Sequence, residues 1–175
     1  MISKRAKLAQ GLMMGALVGA MLVNDADAAT STANLNVSAT VGANCSISTT
    51  ALAFTAYDPV GTHASAPLNG TGAVIVTCTN GASSTLTLGQ GSHANTGSSD
   101  TAPLRRMQDS GSNVLSYALY KDASHTTVWG NTAMTGVAHT GTGTATSVTV
   151  YGQVAAGQNV PAGSYTDVVV ATVTF

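Results

Sequence analysis

Charge is what this chain most lacks. Only six of its 175 residues are Lys or Arg and seven are Asp or Glu, and three of the basic ones, Lys4, Arg5 and Lys7, stand at the extreme N-terminus. Beyond residue 28 the charges are Arg105, Arg106 and Lys121 against Asp58, Asp100, Asp109, Asp122 and Asp167, a net of 3 − 5 = −2. That is too little of either sign for electrostatic capture of nucleic acid or an anionic membrane. The same stretch has no Glu, so an acid/base carboxylate pair would have to come from a few Asp residues in turn contexts, such as Asp58 before Pro59 and Asp122 after Lys121. No Gly-x-Ser-x-Gly elbow, phosphate-binding loop or dinucleotide fingerprint occurs. His63, His93, His125 and His139 are scattered over expected loops at no metal-ligand or catalytic spacing. The sequence therefore predicts no enzyme, no cofactor and no metal. There is one Trp, no amphipathic helical stripe, and no second long apolar run.

The first 28 residues read as a secretory signal: the basic cluster, an apolar stretch from Leu8 to Val23, and Ala26-Asp27-Ala28 as a small-x-small cleavage site. The stretch has 16 residues and contains Gln10, short of the roughly 20 needed to span a bilayer. Cleavage is expected before Ala29, and no cysteine follows there to carry a lipid. The product is expected to pass through the periplasm to the cell surface or beyond, without stable membrane insertion. The remaining 175 − 28 = 147 residues suit one domain of ordinary size. Cys45 and Cys78 both remain, and in an exported chain an even pair reads as a disulfide. A two-thiolate metal site is the alternative, and no His lies near either cysteine.

After the leader the chain alternates short β-like segments with Gly, Asn, Asp and Pro. Strands are predicted near 33–42, 45–55, 73–79, 84–89, 113–121, 147–155 and 164–175. Asn80-Gly81 between two of them reads as a hairpin turn. Residues 91–103 and 130–146, rich in Gly, Thr, Ser, Ala and Asn, read as exposed loops. About seven strands with a cysteine pair linking two predict an all-β, immunoglobulin-like β-sandwich. Trp129 follows both cysteines instead of lying between them, so the antibody-type core is not expected.

Two segments stand out. Residues 33–41 alternate apolar and polar without exception, the period of a half-buried strand, and they precede the first cysteine. Such a strand either pairs within its own domain or extends into a neighbour's sheet. At the other end, Ser164–Phe175 carries Tyr165, Val169, Ala171, Val173 and Phe175 on one face, interrupted by Asp167, with Val168 and Val170 on the other. An open edge on so apolar a strand is a liability. Its own first strand, a chaperone or another subunit must cover it.

The order of several stretches resembles the spore coat protein U family and, within it, the pilins of archaic, Csu-type chaperone-usher pili. They are Leu52 to Pro59, Val76 to Thr79, Leu115 to Asp122, Val128 to Asn131, Val148 to Gln153, and the closing run Gln158 to Asp167 with the Val/Thr strand after it. The resemblance implies an incomplete sandwich completed by donor-strand exchange. Residues 29–44 would form the donor segment and 45–175 the pilin domain. Ala33, Leu35, Val37, Ala39 and Val41 would be donated, and Tyr165, Val169, Ala171, Val173 and Phe175 would form one wall of the acceptor groove. The implied partners are a periplasmic chaperone, an outer-membrane usher, and further copies of this or related pilins, in pili that serve attachment and biofilm formation. Pilins of the better-known pathway usually carry Tyr as the penultimate residue, where Thr174 stands here. With 147 residues a shaft subunit is favoured over a two-domain tip. The alternatives are a coat or matrix protein folded as a self-complete monomer, and a carbohydrate-binding module using Trp129 and Tyr120 as a stacking platform.

Overall fold

A computed structural model describes residues 28–175; the predicted leader, up to residue 27, lies outside them. Residues up to Ala39 and from Thr40 onward form separate units. In the first, residues 28–39 take up neither helix nor strand and are exposed. The segment predicted as a strand over 33–42 thus has no ladder partner.

The second unit is a sandwich of two antiparallel sheets. Its strands are β1 (Cys45–Thr50), β2 (Leu68–Cys78), β3 (Ser83–Leu88), β4 (Arg105–Gln108), β5 (Val114–Tyr120), β6 (Val137–Thr140), β7 (Thr146–Val154) and β8 (Ala171–Thr174). The larger sheet runs β1-β2-β7-β5-β4 and the smaller β6-β3-β8. Alternation decides which side chains enter the core: Val74, Val76 and Cys78 of β2 and Val150 and Val154 of β7 are buried, while Thr71, Ser147 and Thr149 point outward. Val74, Val76, Leu86, Leu88, Leu119, Val150 and Trp129 form the main cluster, and Leu68, Leu115 and Val154 a second.

Trp129 is fully buried. Its main-chain N–H donates to the Leu119 carbonyl at 2.8 Å and its Nε1–H to the Leu86 carbonyl at 3.0 Å, so it ties β5 of one sheet to β3 of the other. Buried here, it offers no stacking platform for a sugar. Arg105 makes a second tie from β4. It is buried, and it donates through Nε to the Gly89 carbonyl and through Nη2 to the carbonyls of Leu88 and Trp129, at 2.8–2.9 Å. Loss of water lowers its pKa to about 10.

Cys45 and Cys78 are disulfide-bonded and sit opposite each other in the β1–β2 register, fastening the start of the edge strand β1. The predicted hairpin at Asn80-Gly81 is not one. The chain does reverse there, with Gly81 at φ 78° and Ala82 N–H bonded to the Thr79 carbonyl, but β3 joins the other sheet, where it pairs with β6 and β8. Two further departures concern strand length. The segment expected over 45–55 ends at Thr50, and that over 164–175 keeps ladder pairing only at Ala171–Thr174. Thr166 instead bridges Gln108 of the larger sheet, so residues 167–170 pass from one sheet to the other. The expected loop 130–146 contains β6, and β4 was not anticipated.

Candidate functional site

Each sheet ends in two strands with one ladder partner among the described residues, and of these β1 and β8 flank a groove. β1 pairs only with β2, and β8 only with β3, so each has an unpaired edge among the described residues. Between them lies an apolar groove of about 820 Å³. One wall is the end of β1 with residues 51–57, the other residues 160–171, and the floor includes Val74, Leu88, Leu115, Leu119, Val150 and Val154 from both sheets.

The first wall depends on glycine. Residues 51–57 make no ladder; Leu52 and Phe54 turn their side chains onto the inner face of the larger sheet. A Cβ on Gly152 of β7 would lie 2.7 Å from Leu52 Cδ1 and 2.9 Å from Phe54 Cζ, closer than such atoms pack. Tyr57 closes this wall. Its hydroxyl donates to the Ala155 carbonyl at 2.9 Å and accepts from Gln158 N–H at 3.0 Å, while its ring stacks on His63.

The second wall presents both side chains and main chain. Gly89 N–H donates to the Val170 carbonyl at 2.9 Å and Ser92 N–H to the Val168 carbonyl at 3.1 Å. Main-chain groups alternate sides along a strand, so those of Val169 and Ala171 face the unpaired edge, while their side chains pack against the core. Of the predicted wall residues, Tyr165, Val169 and Ala171 line the groove. Val173 packs on the main core cluster instead, and Phe175 is 55% exposed and outside the lining. The predicted donor residues are brought to no site: Leu35, Val37 and Val41 are 88%, 85% and 83% exposed, and Ala33 and Ala39 are exposed too.

Sequence reasoning missed the opposite wall, the floor, and the polar group set among them. Tyr117 contributes its ring to the floor, edge-on to Phe54, and its hydroxyl donates to Asp167 Oδ2 at 2.7 Å. Burial first, and the Asp167 bond after it, push the Tyr117 phenol above its ordinary pKa. Asp167 Oδ1 accepts from Ser92 N–H at 2.9 Å, His93 N–H at 3.3 Å and the His93 ring at 3.2 Å. The Asp that interrupts the apolar face was the available signal. No group of three or more His, Cys, Asp or Glu able to hold a metal occurs among the described residues.

Residues 31–172 match the family model of the Spore Coat Protein U domain. The chain belongs to that family. It is also similar to Protein U of Myxococcus xanthus, 48% identical over 157 residues that cover 86% of this chain and 88% of that one. Among solved structures, this member of the Spore Coat Protein U family is similar to the CsuC–CsuE chaperone–tip adhesion subunit pre-assembly complex from archaic chaperone-usher Csu pili of Acinetobacter baumannii, with a TM-score of 0.53 and 21% identity. The alignment covers 78% of this chain and 40% of that one. At that identity the likeness is one of fold, the immunoglobulin-like sandwich. Among the described residues of this family member no helix is long and apolar enough to cross a membrane.

Proposed function

We propose that this protein is a structural subunit of a secreted surface fibre, polymerising by donor-strand complementation through a chaperone-usher route, for surface attachment and biofilm formation. The observation that carries the reading is a pair of unsatisfied halves. One is an apolar groove flanked by two unpaired strand edges; the other is an alternating segment whose large apolar side chains are more than four-fifths exposed. Nine residues of strand, 33–41, span about 30 Å, enough to cross one sheet. Donated to a neighbour, the segment would offer main-chain partners to the open edge at Val169 and Ala171 and place Ala33, Leu35, Val37, Ala39 and Val41 over the floor. Before assembly a periplasmic chaperone would cover the groove, and an outer-membrane usher would exchange it for the next subunit. No catalytic group and no cofactor is needed for this role.

The family's coat-protein name and the 48% identity to Protein U favour a second reading, a subunit of a surface coat. The first experiment separates strand exchange from a self-complete monomer. Surface-sheared native material is run on SDS gels with and without boiling, alongside protein lacking residues 30–41. A ladder of non-covalent oligomers that collapses on boiling and vanishes with the deletion is expected. A monomer at every temperature, destabilised by the deletion, would refute strand exchange. Electron microscopy of the ladder-forming material then distinguishes thin fibres from a coat layer.

A further inference from the structure

The wall at residues 167–170 is held by few main-chain bonds. It belongs to no continuous ladder. Thr166 is bridged to Gln108 in the larger sheet, β8 begins only at Ala171 in the smaller one, and between them the main chain is held through the carbonyls of Val168 and Val170. Within this span one side chain makes the remaining connections. The Asp167 side chain is 2% exposed and accepts from Tyr117 on β5 and from Ser92 and His93 in the loop after β3. Space for it comes from Gly91, whose φ of +88° suits glycine and whose Cβ, were there one, would overlap the Asp167 carboxylate. Asp167 therefore fastens the wall to the floor at Tyr117 and to the loop behind it. Two residues further on, Val169 points its side chain into the groove and its main chain at the open edge.

We propose that Asp167 is a positioning residue for strand capture: through Tyr117, Ser92 and His93 it holds the groove wall in its accepting conformation while the groove is empty. The inference rests on the strand-accepting reading above. Its physical content is preorganisation. A wall ordered beforehand does not have to be ordered during binding, and the apparent affinity scales with the fraction of molecules already competent.

The test uses the full exported chain carrying Val37→Asp, so that its own segment cannot donate, and a labelled synthetic peptide of residues 30–42. Association and dissociation rates are measured for this acceptor and for the same chain with Asp167→Asn or Tyr117→Phe added. Loss of one bond to a carboxylate should slow association about tenfold, with dissociation changed much less. The buried Trp129 reports folding in the same samples through its emission maximum. Should Asp167→Asn shift that emission, Tyr117→Phe, which keeps the ring in the floor, decides alone. Folded variants that capture peptide at the parental rate would overturn the role of Asp167 and leave strand acceptance standing. A parental acceptor that binds no peptide would overturn strand acceptance itself, and this inference with it.

Discussion

Val37→Asp separates a strand that is donated from one that supports its own domain. Val37 is 85% exposed, so in the unassembled subunit the substitution removes no packing and should change stability by no more than about 0.5 kcal/mol. In a neighbour's groove the same side chain would meet a floor of Val, Leu and Tyr residues. Losing the valine there forfeits about 2 kcal/mol of burial, and an ionised carboxylate among apolar groups costs several kcal/mol more. At about 1.4 kcal/mol per factor of ten, a combined loss of roughly 5 kcal/mol weakens each junction by more than a thousandfold. Fibre growth should stop while the subunit remains folded and soluble. Ser38→Asp is the matched control, since it puts the same charge on the opposite face of the strand. The assay is the unboiled SDS ladder, read beside the thermal midpoint of the isolated subunit. Normal ladders from Val37→Asp, equal loss from Ser38→Asp, or a large drop in the Val37→Asp midpoint would each refute the reasoning.

Replacing both Cys45 and Cys78 by Ala opens a loop with a sequence separation of 33 and should cost about 4 kcal/mol by chain entropy, measured by denaturant unfolding. Gly152→Val drives a branched side chain against Leu52 and Phe54 and should destabilise the subunit by about 1–3 kcal/mol while weakening peptide capture. Acid should act through the turns. Hydrogen bonding, led by the Thr126 N–H, lowers the Asp122 pKa from 3.8 to about 2, and Asp100 and Asp109 shift the same way. Because the folded-state values are depressed, the contribution of Asp122 is lost as pH falls toward 2, and that of all three is complete only above pH 3.8. The melting midpoint should hold level down to that point and then decline, and Asp122→Asn should shrink the decline.

What could be read from the sequence was what depends on neighbours along the chain. β2, β5 and β7 carry β-branched or aromatic residues in alternation and were placed within a few residues, apart from an unanticipated first half of β2. The inward set Tyr165, Val169, Ala171 and Val173 was legible for the same reason, whereas the alternation over 33–41 forms no strand within the described residues. β4 was not, because Arg105-Arg106-Met107-Gln108 reads as a polar surface segment; only the carbonyls of Leu88, Gly89 and Trp129 around it explain a buried arginine. The false hairpin has a related cause. Asn-Gly specifies a local reversal, but which sheet receives the next strand depends on β6 and β8, more than 50 residues further on. The groove's first wall was hidden likewise, since Leu52 and Phe54 lie beside Gly152 only after folding.

The same long-range contacts explain how a subunit with an open groove holds together. Trp129 and Arg105 tie β5 and β4 of the larger sheet to the β3 region of the smaller one, and neither lines the groove. The donor side chains of that tie therefore lie outside the groove lining, while two of their acceptor carbonyls belong to Leu88 and Leu119 of the floor. Under the proposed reading, this division would suit a part that is folded before it is completed. Under the proposed strand exchange, stability of the monomer would rest on the Trp129 cluster, whose Val74, Leu88, Leu119 and Val150 also form the floor, and on the disulfide, while the apolar burial gained by filling the groove would remain available for assembly. For Leu35, Val37 and Val41 that burial is on the order of 6 kcal/mol, before the main-chain bonds at Val169 and Ala171 are added. A ligand that binds only the folded state raises its stability by mass action. A strand supplied by the next subunit would do so at its highest effective concentration inside the fibre, and each junction would then persist for as long as unfolding of the completed sandwich takes.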